Sequence, residues 1–135
     1  MQDYTNRFPA DDPNGSKLGT NTVTASGATA GSYTMNLTGL PAGYKLTAGD
    51  RVSFVQSGLY MIHEIVEDVT AAAGGTATIK LLTPLRAGVP ANPTIILKNS
   101  RIHARYVPGS FRASTMEVGY TTGASFEFVQ VIVDR

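Results

Sequence analysis

A basic ladder runs along residues 101–107, whose sequence is Arg-Ile-His-Ala-Arg-Tyr-Val. Successive side chains of a strand point to opposite faces, so Arg101, His103 and Arg105 would share one face of this segment. The chain has no acidic residue between Asp68 and Glu117 that could neutralise them locally. Such a ladder suits an acidic partner surface, a nucleic-acid backbone or solvent. Arg101, His103 and Arg105 are therefore the candidate interaction face of the chain.

The same ladder does not favour direct binding of nucleic acid. The formal net charge of the chain is only +1, and no aromatic side chains share the face with the basic ones as stacking platforms would. We therefore expect the ladder to meet either solvent or an acidic protein surface, which includes another copy of this chain.

Patterns that would indicate catalysis or metal binding are weak. His63-Glu64 does not continue as the zinc motif H-E-x-x-H, because Glu67 stands where the second histidine belongs. The serines at 57 and 110 lack the G-x-S-x-G context of a nucleophile. A glycosidase needs two carboxylates that face each other across a cleft, and no feature of the sequence indicates a cleft. The sequence therefore predicts no enzyme, no catalytic or metal-binding residues and no cofactor.

One acidic group near the N-terminus has the oxygen ligands that calcium prefers. It consists of Asp3, Asp11, Asp12 and Asn14. These residues do not follow the D-x-[DN]-x-[DN]-G order of a calcium-binding loop, so a solvated turn is the preferred interpretation.

Length and composition indicate one domain that folds without cross-links. The chain has 135 residues and no cysteine, which excludes disulfides and thiolate metal sites. No apolar run approaches the length of a membrane span. The charged fraction of 16% is low for a free monomer, which usually keeps more charge for solubility. A protein that is packed against copies of itself does not need this charge.

Alternating apolar and polar residues between glycine and proline turns predict an all-β fold. A helix over 59–72 is disfavoured by the β-branched residues in that stretch. We expect an open β-barrel or a small antiparallel sandwich of about nine short strands. An extended N-terminal arm would occupy residues 1–21, and a single β domain residues 22–135. The predicted strands span residues 21–25, 33–38, 51–56, 59–70, 76–82, 94–98, 101–107, 111–122 (one bent strand or two) and 125–133.

Several short motifs follow one another along the predicted β domain. They are Asp12-Pro13-Asn14-Gly15, Ala48-Gly49-Asp50, Gly58-Leu59-Tyr60, Gly74-Gly75-Thr76 and Pro84-Leu85-Arg86. This frame resembles the C-terminal half of distal-tail or baseplate proteins of siphophage-like bacteriophages and prophages. In that family an A-G-D turn opens one strand, G-L-Y starts another, and P-L-R follows a threonine-rich strand. The resemblance extends over about residues 11–133.

The resemblance implies a structural virion protein, a component of a phage tail tip or baseplate that acts through assembly of subunits. The implied partners are other copies of the chain, in a homo-oligomer, and neighbouring tail proteins, with no membrane. The implied location is the virion tail, after synthesis in the cytoplasm of the bacterial host. The family has no catalytic residues, so none is transferred to this sequence.

A second function remains open, that of a capsid-decorating or host-surface carbohydrate-binding β module. A sugar-binding surface would show a cluster of solvent-facing aromatic side chains. The candidates for such a cluster are Tyr44, Tyr60, Tyr106 and Tyr120. We expect at least two of these four to belong to the core instead.

Overall fold

The computed structural model describes residues 8–106, Pro108, Met116–Glu117, Tyr120–Thr121 and Phe128–Gln130. These residues form short antiparallel strands and no helix, which confirms the predicted all-β class. No helix that could span a membrane occurs in this part of the chain. The strands are β1 (Val23–Ser26), β2 (Thr34–Thr38), β3 (Lys45–Leu46), β4 (Arg51–Gln56), β5 (Leu59–Glu64), β6 (Val69–Thr70), β7 (Ala77–Lys80), β8 (Thr94–Ile95), β9 (Ala104–Tyr106), β10 (Met116–Glu117), β11 (Tyr120–Thr121) and β12 (Phe128–Gln130).

The largest sheet in the described part of the chain has four strands in the order β7-β2-β1-β8. Each neighbouring pair is antiparallel, with Ala25 opposite Leu37 and Met35 opposite Ile79. These four side chains are buried. Because side chains alternate between the two faces of a strand, the residues between them form the outer face of the sheet.

Strands β4 and β5 form a hairpin closed by a two-residue turn. Gln56 pairs with Leu59, and the intervening Ser57 and Gly58 have φ values of 51° and 80°. Positive φ at both central residues is the type I′ geometry, whose twist matches that of the flanking strands. The β-branched residues that disfavoured a helix here are accommodated in β5 and its continuation, as predicted from the sequence.

Two isolated bridges connect this hairpin to the four-stranded sheet. Ser53 of β4 pairs with Ile96 just after β8, and Ile65 just after β5 pairs with Leu81 just after β7. Each link is a single isolated bridge and not a continuous ladder, so the described residues form a small sandwich and not a closed barrel. The two layers share one core, whose largest fully buried side chains are those of Phe54, Met35, Leu37, Leu46, Ile65, Ile79, Leu81 and Leu85.

Residues 8–20, which belong to the N-terminal arm expected from the sequence, fold into consecutive turns against the sandwich. The amide of Asp12 donates to the carbonyl of Pro9, and the amide of Gly15 donates to the carbonyl of Asp12, both at 2.9 Å. Leu18 contributes to the core with 5% of its surface exposed. The turns persist because buried hydrogen bonds and this apolar anchor attach the segment.

The strands predicted over 94–98 and 101–107 are shorter than expected, covering only Thr94–Ile95 and Ala104–Tyr106. Between them Asn99 takes a left-handed conformation with a φ of 52°, which ends an extended strand. The single strand predicted over 59–70 is likewise divided into β5 and β6. Most of the two predicted strands over 111–122 and 125–133 lies outside the described residues.

Candidate interaction surface

The structure brings two members of the basic ladder together on one tyrosine of the β4–β5 hairpin. The His103 ring stacks on the Tyr60 ring with centroids 5.2 Å apart and an interplanar angle of 18°. The guanidinium carbon of Arg101 lies 5.8 Å from the centroid of the same ring, at cation–π distance. Arg105 is described through its backbone, which pairs with Val129 of β12. Arg101 and His103 therefore form a cluster around Tyr60.

This cluster fastens residues 100–103 to the outer side of the hairpin. The Nδ1 atom of His103 accepts a hydrogen bond from the Tyr60 amide at 2.8 Å. The Ser100 hydroxyl donates to the Arg51 carbonyl at 2.9 Å, and the Arg101 amide donates to the Ser53 hydroxyl at 3.1 Å. A neutral His103 in this arrangement carries its proton on Nε2. His103 is therefore an attachment point of the chain as well as a member of the ladder.

The second histidine, His63, lies on the opposite face of β5 from Tyr60 and belongs to the interior. Its ring stacks parallel to that of Phe54 with centroids 5.6 Å apart, and its Nδ1 atom lies 3.1 Å from the Thr83 hydroxyl. Burial lowers the pKa of His63, because the apolar surroundings disfavour the charged ring. His63 is therefore a neutral core histidine.

The acidic group near the N-terminus is buried at Asp12, contrary to the solvated turn that was expected. Its carboxylate accepts hydrogen bonds from the amides of Lys17 and Leu18, both at 3.0 Å, and from the Tyr44 hydroxyl at 3.2 Å. Burial by itself raises the pKa of Asp12, but these three hydrogen bonds and the positive charge of Lys98 together outweigh it and hold the pKa below its ordinary value. Burial and the nearby Asp12 charge raise the pKa of Tyr44. The carboxylate thus serves as a structural acceptor.

A second buried carboxylate, Asp50, holds the same N-terminal segment from the side of the sandwich. It accepts hydrogen bonds from the amide of Ala10 and from the amide of Thr47, both at 2.8 Å. Asp50 ends the Ala48-Gly49-Asp50 turn that was recognised in the sequence. The segment that contains Asp12 and the turn that contains Asp50 are therefore parts of one structural unit.

The outer face of the four-stranded sheet carries seven short uncharged polar side chains and one lysine. We call it the hydroxyl face, and its outward-pointing residues are Thr24, Ser26, Thr34, Asn36, Thr38, Thr78, Lys80 and Thr94. Sequence reasoning missed this surface, although the polar positions of β2 alternate with the apolar ones in the sequence. Only the pairing of strands that are distant in the sequence brings the eight residues onto one plane.

Hydrogen bonds across the strands connect the side chains of the hydroxyl face. The hydroxyls of Thr24 and Thr38, which face each other across β1 and β2, lie 3.0 Å apart. The Thr78 hydroxyl donates to the side-chain oxygen of Asn36 at 2.8 Å, across β2 and β7. Several polar atoms of this face therefore already have partners within the molecule.

A shallow groove of about 390 Å³ lies where the hydroxyl face meets β6. Among the described residues, no charged side chain lines it. The lining residues are Ser26, Asn36, Leu37, Thr38, Val69, Thr70, Thr76, Ala77 and Thr78. Such a groove fits an uncharged surface or ligand better than an ion.

The tyrosines do not form the aromatic patch expected of a sugar-binding module in the part of the chain that the structure describes. Tyr44 is a core residue with 3% of its surface exposed, and Tyr60 is half-buried beside His103. The side chains of Tyr106 and Tyr120 lie outside the described part of the chain. Tyr33, which was not among the candidates, is 53% exposed.

Comparison with known proteins gives no relative on which to base an identity, since no family model, curated protein or solved structure matches this chain.

Proposed function

We propose that this chain is a structural virion protein, a component of a phage tail tip or baseplate that acts through assembly of subunits. The observation that carries the proposal is the hydroxyl face, a sheet surface whose exposed side chains are short and almost entirely uncharged. The resemblance of the A-G-D, G-L-Y and P-L-R motifs to siphophage distal-tail proteins supplies the kind of assembly. The partners would be further copies of the chain and neighbouring tail proteins.

The surface chemistry supports assembly because protein interfaces are depleted of lysine, glutamate and aspartate at their centre. An exposed sheet face of a free monomer usually carries such charges, which also discourage pairing with other proteins. The hydroxyl face, as defined above, includes one lysine, Lys80, and this lysine is neutralised by Glu67 at 2.7 Å. A surface of this kind is suited to burial in a larger particle.

The alternative function, a capsid-decorating or host-surface carbohydrate-binding module, is favoured by one observation, the uncharged groove beside β6. The hydroxyl and amide groups in its lining match the donors and acceptors of a neutral sugar. Its described lining holds no aromatic side chain on which a sugar ring could stack, so we rank this function second.

The location of the protein in virus particles tests the proposal. Phage particles whose genome encodes the chain would be purified, and their proteins would be identified by mass spectrometry. Antibody labelling in electron micrographs would then locate the chain on the particle. Labelling at the distal end of the tail is the expected result. Labelling over the capsid would favour the decorating module instead, and absence of the chain from purified particles would refute both.

A further inference from the structure

We propose that the hydroxyl face is the contact through which one copy of this chain packs against a second copy. This inference rests on the proposed function, because it names the surface and the partner that assembly would use.

Charge favours a second copy over a charged partner. Lys80 is paired with Glu67 at 2.7 Å, and Lys45, which pairs with Thr70 of the groove, lies 3.7 Å from Asp68. Two hydroxyl faces can therefore meet without opposing like charges. Self-contact through the basic cluster would instead place Arg101 of one copy near Arg101 of the other, which is unfavourable.

The hydrogen bonds within the face reduce the cost of covering it. A polar group that is buried without a partner costs about 1–3 kcal/mol, so most exposed hydroxyl surfaces resist burial. Here the Thr24 and Thr38 hydroxyls bond to each other, and Thr78 bonds to Asn36. The three threonine hydroxyls and the Asn36 oxygen therefore already have partners within the molecule, while the threonine methyl groups remain available for apolar contact.

The side chains of the face also lose little freedom when they are covered. Threonine is stiff at χ1 and short, whereas lysine, glutamate and arginine lose much more entropy when they are immobilised at an interface. Five of the eight outward residues are Thr24, Thr34, Thr38, Thr78 and Thr94. The face is therefore preorganised for contact with another uncharged sheet.

The area of the face sets the expected strength. Strand β2 has five residues and extends about 17 Å, and four strands span about 14 Å, which gives a footprint of about 240 Å². A stable pair buries about 800 Å² on each partner. An isolated pair of copies should therefore be weakly bound, and the contact becomes persistent only where symmetry repeats it within a particle.

Cross-linking measures such a weak contact directly, and the chain is suited to it because it contains no cysteine. We would introduce a single cysteine at the centre of the face, as Ser26→Cys or Asn36→Cys, which are opposite each other across β1 and β2. The control is Val55→Cys, a residue that is 46% exposed on the other layer of the sandwich and pairs with Tyr60, where the positive charge of Arg101 disfavours contact between two copies. Circular dichroism would confirm that each variant folds.

A short bismaleimide should cross-link the two face variants into dimers at high micromolar protein and leave the control largely monomeric. Adding Thr38→Lys to Ser26→Cys should suppress the dimer, because two added cations would then oppose each other. Equal dimer yields at all three positions, or none, would overturn the proposal. If a neutral oligosaccharide protected the Ser26→Cys variant from maleimide without any dimer, the face would be assigned to a glycan, which would also overturn it. Location at the tail tip would be unaffected by either outcome, so failure of the contact and failure of the proposed function are distinguishable.

Discussion

Replacing Asp12 with alanine removes the acceptor that holds residues 8–18 in place. Only 1% of the residue surface is exposed, so water cannot substitute for the lost carboxylate. Three donors lose their partner, namely the amides of Lys17 and Leu18 and the hydroxyl of Tyr44. The Leu18 side chain, which these bonds position in the core, would be loosened as well.

The structure gives the order of magnitude of this loss. A hydrogen bond to a charged group contributes about 1.5–3 kcal/mol, and a buried donor left without a partner costs about 1–3 kcal/mol. Because the three bonds are not additive, we expect Asp12→Ala to lower the free energy of unfolding by about 3–5 kcal/mol. That is a large part of the total of about 5–15 kcal/mol for a domain. Tyr44→Phe, which removes one bond, should cost about 1–2 kcal/mol.

Urea denaturation followed by circular dichroism measures both changes, and the double variant gives their coupling, expected at about 1 kcal/mol. The matched control is Asp11→Ala, whose carboxylate is 38% exposed and pairs with Lys17 at 2.7 Å, so it should cost less than about 1 kcal/mol. A loss below about 0.5 kcal/mol for Asp12→Ala would refute the structural role.

The lowered pKa of Asp12 also makes the free energy of unfolding depend on pH in acid. The stabilisation by the carboxylate is present above pH 3.8 and is lost as the pH falls through the folded-state pKa. Asp12→Ala should flatten that part of the stability curve.

Three further outcomes are expected. Because the pKa of His63 is lowered in the folded state, the unfolded chain binds a proton at a higher pH than the folded chain does. The urea midpoint should therefore fall as the pH drops below about 6.5. His63→Phe should reduce this dependence of the midpoint on pH. Gly75 has a φ of 73° and its added Cβ would overlap the Leu40 carbonyl oxygen, so Gly75→Ala should lower the melting temperature, whereas the same change at Gly74, where a Cβ meets open space, should have little effect. If Arg101 and Arg105 meet an acidic subunit surface, the double change to glutamate should abolish assembly in light scattering while the monomer stays folded, and unchanged assembly would refute that role.

Local pattern predicted much of the sheet but not its surfaces. The alternation in β2 and the break at Ser57 and Gly58 locate strands and their ends from the sequence alone, because both signals are short-range. The contact between His103 and Tyr60 joins residues 43 positions apart, and no local pattern encodes it. The pairing of Thr24 with Thr38 and of Asn36 with Thr78 likewise depends on register between separate strands.

The N-terminal segment illustrates a different limit. Its turn residues Pro13, Asn14 and Gly15 were recognised, yet the segment was expected to be extended and solvated. An aspartate in a polar stretch normally faces water. Burial of Asp12 is favourable because the Tyr44 hydroxyl donates a hydrogen bond to its carboxylate and because Leu18 packs in the core beside it. Tertiary packing therefore decides the structure of a segment whose local sequence suggests an extended arm.

The strand order of the main sheet has a consequence for how the chain is made. Strand β1 lies between β2 and β8, and Thr24 of β1 pairs with both Thr38 and Thr94. On the ribosome the β1–β2 hairpin is complete long before β8 emerges, so one edge of β1 stays open during synthesis of most of the domain. The β8 segment of a neighbouring nascent chain has the same sequence and can pair with the open edge of β1. Chains that are translated close together can thus exchange this strand. Folding should also be slow, because segments that are distant in the sequence must meet.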